Sequence, residues 1–123
     1  MPRPCTLLVL EDEPLIMMDL QFSGEDQDCT MLCAASCGEA LQLIDKADTI
    51  DAAILDVSLG AGKTCLPVAR KLENLSIPYI LHSGDLDRHD ETIRTLDAKL
   101  VAKPFPAEKV IAAAIACAVN DDC

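Results

Sequence analysis

The chain has 123 residues, of which 10 are Lys or Arg and 21 are Asp or Glu, giving a formal net charge of −11. This length predicts a single domain over residues 1–123. The charge argues against nucleic acids and anionic membranes as partners, because both are bound mainly through Lys and Arg.

The seven cysteines of the chain raise the question of a disulfide scaffold. Their number is odd, several lie inside apolar runs and no secretory signal precedes them, which favours thiols in a reducing, cytoplasmic protein. The spacing of Cys29, Cys33 and Cys37 would also suit a metal or cluster site, but their predicted positions on a strand and the following loop argue against convergence. The longest apolar run, residues 110–119, is too short to cross a bilayer.

Five short apolar runs alternate along the chain with stretches of helical character. The predicted strands are residues 6–10, 30–35, 52–55, 79–81 and 100–102. The predicted helices are residues 14–27, a segment that opens with a capping box at 36–39, and residues 64–75, 87–96 and 107–119. Repeated strand–helix alternation is typical of parallel strands joined by crossover helices. We therefore predict an α/β fold, a doubly wound (βα)5 unit with a parallel five-stranded sheet and helices on both faces.

Polar residues follow the predicted strands at the points where chemistry is expected. Strand one ends in the acidic turn 11–13 (EDE), and strand three ends in Asp56. Strand four is followed by Ser83, and strand five by Lys103. Because ligands of open α/β sheets bind beyond the carboxyl ends of the strands, we expect these side chains to converge.

The acidic first turn indicates which ligand this edge of the sheet would take. It contains three acids and no glycine, so it would repel a bare phosphate rather than cradle it. Carboxylates attract hard cations, and Mg2+ typically takes one or two of them together with a phosphate oxygen and waters. A carboxylate can also be the nucleophile that accepts a phosphoryl group. The strand ends therefore predict a Mg2+ site that receives a phosphoryl group.

Four segments, taken in order, resemble the receiver domains of bacterial response regulators, and the resemblance covers essentially the whole chain. They are residues 7–16 (LLVLEDEPLI), 53–59 (AILDVSL), 77–84 (IPYILHSG) and 100–105 (LVAKPF). The resemblance implies a flavodoxin-like receiver fold and a stand-alone, chemotaxis-regulator-like protein of two-component signalling, with no output domain.

The resemblance also implies a role for each matching residue. Asp56 would accept the phosphoryl group from a sensor histidine kinase or a histidine phosphotransfer protein, with Lys103 pairing with the phosphoryl oxygens and Ser83 moving to hydrogen-bond them. Mg2+ would be held by Glu11, Asp12, Asp56 and the backbone carbonyl of Ser58. Such a domain is not a conventional enzyme, since it catalyses its own phosphorylation and slow autodephosphorylation, and it would signal through a downstream protein target.

Departures from the family pattern leave two other functions open. The family usually has Tyr or Phe where this chain has Leu100, and the loop over residues 59–64 is atypical. These features motivate a phosphorylation-independent protein-binding module as the alternative. A small α/β hydrolase or nucleotide binder is a third hypothesis, but a P-loop ending at Thr64 would need Gly where the chain has Val57.

Two helices carry further expectations. In the first helix, Gly24 stands where a core aliphatic residue is expected, so we expect its last turn to fray. The fifth helix is apolar nearly all round over residues 110–119, which predicts that it forms, with helix four and strand five, a homodimer or partner surface. The alternative is that its alanines only favour helix formation.

Overall fold

The computed structural model describes residues 5–57, 64–83, 99–102 and 106–120. Its strands are β1 (Thr6–Leu10), β2 (Thr30–Ala34), β3 (Ala52–Asp56), β4 (Tyr79–Ser83) and β5 (Lys99–Ala102). Its helices are α1 (Pro14–Asp26), α2 (Cys37–Lys46), α3 (Leu66–Asn74) and α4 (Ala107–Asn120), the last being the fifth predicted helix. The helix predicted over residues 87–96 lies outside the described residues.

The five strands form one parallel sheet in the order β2-β1-β3-β4-β5. The chain therefore moves outward from β1 to β2 and then crosses back to place β3 on the other side of β1. This reversal makes the carboxyl ends of β1 and β3 the topological switch point, where ligands of such sheets bind. The predicted fold class is confirmed.

Alternating side chains of the buried strands feed two hydrophobic layers, one on each face of the sheet. On one face, α2 and α3 pack through Ala40, Ile44, Val68 and Leu72. On the other, α1 and α4 pack through Leu20, Val110, Ile111 and Ala114. Strand β3 is buried along its whole length, as expected for a central parallel strand covered on both faces.

The capping box predicted for the second helix is present. Ser36 is the N-cap of α2, and its hydroxyl accepts the backbone N–H of Glu39 at 3.2 Å. This bond satisfies one of the orphan N–H groups of the first turn. The predicted start of the helix and its observed start therefore agree.

The expectation that the last turn of the first helix frays is wrong. Gly24 is buried, and a β-carbon there would collide with the side chain of Met31 on β2, which fills the place of the expected aliphatic residue. The turn is closed by the N–H of Cys29, which donates to the carbonyl of Gly24 at 2.9 Å. Asp28 adopts a left-handed conformation with φ of 64°, as helix ends often do.

The cysteines follow the sequence expectation with one exception. Cys29, Cys33 and Cys65 are free thiols, whereas Cys117 on α4 is disulfide-bonded, so the expectation that all seven are thiols is wrong at this residue. Within the described residues, Cys29, Cys33 and Cys37 do not converge into a metal-binding cluster. Among the described helices, none combines the length and apolarity needed to cross a membrane.

Candidate functional site

Three carboxylates meet at the topological switch point. One oxygen from each of Glu11, Asp12 and Asp56 lies within 4.8 Å of the others. Glu11 is 1% exposed and Asp56 is 5% exposed, whereas Asp12 is open to solvent. The acidic turn and the end of strand three therefore converge as the sequence predicted.

The strands fix two of these side chains. Leu10 pairs with Leu55, so the next residues, Glu11 and Asp56, leave neighbouring strands side by side. The N–H of Glu11 donates to the carbonyl of Ala34 at 3.0 Å, which extends the sheet pairing by one residue. The Glu11 carboxylate in turn accepts the backbone N–H of Glu13 at 3.2 Å, which orients it within the turn.

The spacing of these oxygens suits a hard divalent cation. Three carboxylates held so close repel one another, and the repulsion is strongest where water is excluded. A cation between them removes that repulsion, and oxygen donors from carboxylates are the ligands that Mg2+ and Ca2+ prefer. The cluster can therefore hold a metal ion, with Asp12 on the side that faces solvent.

Two further buried residues lie next to the end of β3, where Asp56 stands, and neither was predicted as a site residue. His82 is 4% exposed and stands opposite Asp56 in the β3–β4 pairing. Cys65 is fully buried, and its N–H donates to the carbonyl of Val57 at 3.2 Å. Burial, followed by the charge of Cys37 and, more weakly, of Asp56, raises the pKa of the Cys65 thiol to about 12, so the thiol stays protonated at neutral pH.

Of the remaining predicted site residues, Ser83 is among the described residues and Ser58 and Lys103 are not. Ser83 is the last residue of β4 and pairs through its backbone with Ala102 of β5. Lys103 follows β5 directly in the sequence, but Lys103 and Ser58 both lie outside the described residues. Leu100 pairs with Leu81, in the strand position where the family usually carries an aromatic residue.

Several solved structures are similar to this chain, although no protein-family model and no curated protein matches it. Among solved structures, SdrG from Sphingomonas melonis Fr1 is 34% identical, with a TM-score of 0.77, and the match covers 97% of this chain and 99% of that one. A response regulator receiver protein from Sinorhizobium medicae WSM419 has a TM-score of 0.80 at 20% identity, covering 95% and 96%. The chemotaxis response regulator CheY4 of Vibrio cholerae has a TM-score of 0.76 at 20% identity, covering 90% and 96%.

The chain belongs to the response regulator receiver family. The resemblance drawn from the four sequence segments is therefore confirmed at the level of family and fold. In this receiver domain the acidic turn after β1 and the end of β3 are brought together, as the resemblance implied. The two buried neighbours of Asp56 were missed because the pairing of β3 with β4, and the return of residues 64–66 to the end of β3, are tertiary features. The one available signal was the position of His82 next to Ser83 at the end of an apolar run.

Proposed function

We propose that this receiver domain is a Mg2+-dependent phosphoacceptor, in which Asp56 takes a phosphoryl group from a phosphohistidine. The observation that carries the proposal is the convergence of Glu11, Asp12 and Asp56 within 4.8 Å at the switch point. A nucleophilic carboxylate at the end of a buried strand, flanked by two more acids, is suited to phosphoryl transfer and unsuited to holding a bare phosphate.

The metal ligands proposed are Glu11, Asp12 and Asp56, with the backbone carbonyl of Ser58 as a fourth. The ion supplies positive charge that offsets the carboxylates and the incoming phosphoryl oxygens. Glu11 is already oriented by its hydrogen bond to the N–H of Glu13, so it needs little reorganisation to bind. Asp12, which is exposed, would hold the ion on the side that faces solvent.

The transfer step follows from the position of Asp56. A carboxylate oxygen of Asp56 attacks phosphorus and forms the new O–P bond, while the N–P bond of the donor phosphohistidine breaks. The imidazole nitrogen keeps the electron pair and takes up a proton, which makes it a good leaving group. Lys103 neutralises the phosphoryl oxygens, and Ser83 donates a hydrogen bond to them, so that charge is stabilised where it develops.

The donor is proposed to be a sensor histidine kinase or a histidine phosphotransfer protein in the bacterial cytoplasm. An exposed apolar stripe on α1 supports a protein donor, since Leu15, Met18 and Phe22 are 75%, 46% and 58% exposed. These residues are three and four positions apart and share one helix face. The stripe starts two residues after the acidic turn, so a protein that reaches Asp56 from the carboxyl edge of the sheet also meets α1.

The output is proposed to be a change in binding to a downstream protein rather than turnover of a substrate. Phosphorylation adds about −1.5 to −2 charges beside the existing carboxylates. That charge shifts Ser83 and the neighbouring strand β5 between two packings, and a partner or a second copy binds one of them. The phosphorylation-independent alternative rests on Leu100 and the loop 59–64, and nothing in the described residues favours it.

Phosphorylation by a small donor tests the proposal without a partner protein. The chain is incubated with acetyl phosphate and Mg2+, and its intact mass is recorded. We expect a gain of one phosphoryl group that disappears when Mg2+ is chelated or when Asp56 is changed to Asn. Glu13→Gln is the matched control, because Glu13 lies in the same acidic turn but outside the cluster. No gain in a folded protein that binds Mg2+, with acetyl phosphate and with a phosphorylated histidine donor, would refute the proposal.

A further inference from the structure

Two thiols meet at the edge of the sheet opposite the carboxylate cluster. Cys5 immediately precedes β1, and Cys29 immediately precedes β2. The ladder between these strands begins with Thr6 opposite Thr30, and the N–H of Thr30 donates to the carbonyl of Cys5 at 2.7 Å. The Cys5 thiol is hydrogen-bonded to the Cys29 thiol. The two thiols are therefore neighbours across the β1–β2 pairing in the reduced protein.

The backbone geometry around the pair suits a covalent link. Neighbouring strands lie about 4.8 Å apart, within the range of about 4.4–6.8 Å that disulfides span between Cα atoms. Cys29 belongs to the hydrophobic layer beneath α1 and α4, and Cys5 packs against that same layer, so both side chains leave the same face of the sheet. Closing the bond needs rotation of side chains and little movement of the strands.

We propose that Cys5 and Cys29 are a reversible oxidation site, which closes to an intramolecular disulfide when the protein meets a hydroperoxide. This site is separate from the phosphoacceptor and does not rest on the proposed function. Disulfides in reducing compartments are mostly transient and redox-sensing, which is the behaviour expected of such a pair.

The chemistry proceeds in two steps that balance. The Cys5 thiol releases its proton and its sulfur attacks one peroxide oxygen, the O–O bond breaks, and Cys5 becomes a sulfenic acid. The other oxygen takes up the released proton and leaves as water or alcohol. The Cys29 sulfur then attacks the Cys5 sulfur, forming the S–S bond and breaking the S–O bond. The leaving hydroxide takes the Cys29 thiol proton and departs as water, so two thiols are oxidised by two electrons and one peroxide is reduced.

Burial decides the order of the two steps. Cys29 is only 6% exposed, and burial is the main cause that raises its thiol pKa, whereas Cys5 is half-buried and open to a small oxidant. Burial also raises the pKa of Cys33 and of the fully buried Cys65. Reactivity follows thiolate character and access, so Cys5 reacts first and Cys29, its contact, resolves it.

The disulfide has a structural consequence that can be measured. It closes a loop that contains α1 and the acidic turn, and it ties the interior strand β1 to the edge strand β2. Closing such a loop restricts the unfolded chain, so the oxidised protein resists denaturant better than the reduced one.

The test maps disulfides in the intact, fully reduced protein after exposure to hydrogen peroxide. Free thiols are blocked, and the chain is cleaved before its aspartates, which separates Cys5 from Cys29 because Asp12 and Asp28 lie between them. Mass spectrometry identifies the linked peptides, and fragmentation assigns the linked cysteine within residues 28–44, which also contain Cys33 and Cys37. Urea unfolding is followed with and without dithiothreitol. Cys5→Ser removes the half-buried partner, and Cys33→Ser is the matched control from the same layer.

We expect a peptide pair joined through Cys5 and Cys29, a higher urea midpoint in the oxidised protein, and reversal of both by dithiothreitol. Cys33→Ser keeps these results and Cys5→Ser loses them. The proposal is overturned if Cys5 reaches sulfinic acid without a link, or if Cys29 is joined to another cysteine. The peptide map of the wild-type chain decides the matter even if a variant fails to fold.

Discussion

The hydroxyl of Tyr79, at the start of β4, donates a 2.6 Å hydrogen bond to Oε2 of Glu73, near the end of α3. The tyrosine ring is 5% exposed, and Arg70 also bonds the same carboxylate through Oε1 at 3.0 Å. The bond joins the helix layer to the sheet close to the left-handed residue Ser76, whose φ is 59°. It therefore fixes the approach of the chain into β4, the strand that carries His82 and Ser83.

The titration of Tyr79 gives a first prediction, because it is the only tyrosine of the chain. Burial, followed by its bond to the Glu73 carboxylate, raises the pKa of Tyr79 well above its usual value of 10. Phenolate absorbance should therefore appear at higher pH in the folded protein than in urea. Glu73→Gln lowers this pKa toward the ordinary value, whereas Asp45→Asn, a carboxylate on α2, leaves it unchanged. Titration of the folded protein at the ordinary tyrosine pKa would contradict the structure.

Removing the Tyr79 hydroxyl gives a second prediction. Tyr79→Phe should lower the free energy of unfolding by about 1 kcal/mol at neutral pH, a modest value because the Glu73 side chain is 37% exposed. The bond to Tyr79 is the main cause that lowers the pKa of Glu73. This contribution is present above the ordinary carboxyl pKa and is lost as the pH falls through the lowered one. Urea unfolding should therefore show the difference between Tyr79→Phe and wild type shrinking in acid, and a constant difference would contradict this.

The packing of Gly24 against Met31 gives a third prediction. Gly24→Leu supplies the aliphatic side chain that a helix interior usually carries, but it would occupy the space filled by Met31. We expect a loss of about 1–3 kcal/mol of stability from this overpacking. Adding Met31→Ala should recover part of the loss, since the two side chains compete for one space. Urea unfolding of both single variants and the double variant measures this coupling, and strictly additive effects would contradict the packing described.

Charge repulsion within the carboxylate cluster gives a fourth prediction. Without metal, Asp56→Asn should raise the thermal midpoint, because it removes one of three charges held within 4.8 Å. Asp12→Asn should weaken Mg2+ binding by about tenfold or more, as expected on removing a ligand, whereas Glu13→Gln should change it little. Amide chemical shifts followed during Mg2+ titration measure the affinity. Equal effects of Asp12→Asn and Glu13→Gln would show that the ion is bound diffusely by the turn.

The exposed stripe on α1 gives a fifth prediction. Phe22→Ala should slow phosphorylation by a phosphohistidine protein about tenfold, the effect of losing one apolar contact at an interface centre. It should leave phosphorylation by acetyl phosphate unchanged, because the small donor touches only the cluster. Leu75→Ala is the matched control, since Leu75 is 49% exposed at the far end of α3. An equal loss with both donors would indicate damage to the site rather than to a docking surface.

Local patterns were enough to predict the elements and the acidic cluster. The apolar runs located all five strands to within two residues, because strands buried on both faces carry an unbroken aliphatic signal. The capping box at Ser36 located the start of α2 because its chemistry is local. The meeting of Glu11 with Asp56 followed from the fold class, since the carboxyl ends of parallel strands share one edge of the sheet.

Features that depend on packing between distant segments could not be predicted. Nothing near Gly24 in the sequence shows that Met31 fills its place, because the contact is set by how α1 lies on β2. The contact of Cys5 with Cys29 likewise depends on the β1–β2 register. The surroundings of the end of β3 depend on strand order, which pairs Asp56 with His82, and on the bond from the N–H of Cys65 to the carbonyl of Val57.

Chemical trapping of the phosphorylated aspartate tests the central claim most directly. The chain is incubated with acetyl phosphate and Mg2+ and then reduced with borohydride, which converts an aspartyl phosphate to homoserine. Peptide sequencing by mass spectrometry should find homoserine at position 56 alone, and none when Mg2+ is chelated. Homoserine at Asp12 or at another acidic residue, or none at all in a folded and phosphorylated protein, would contradict Asp56 as the phosphoacceptor.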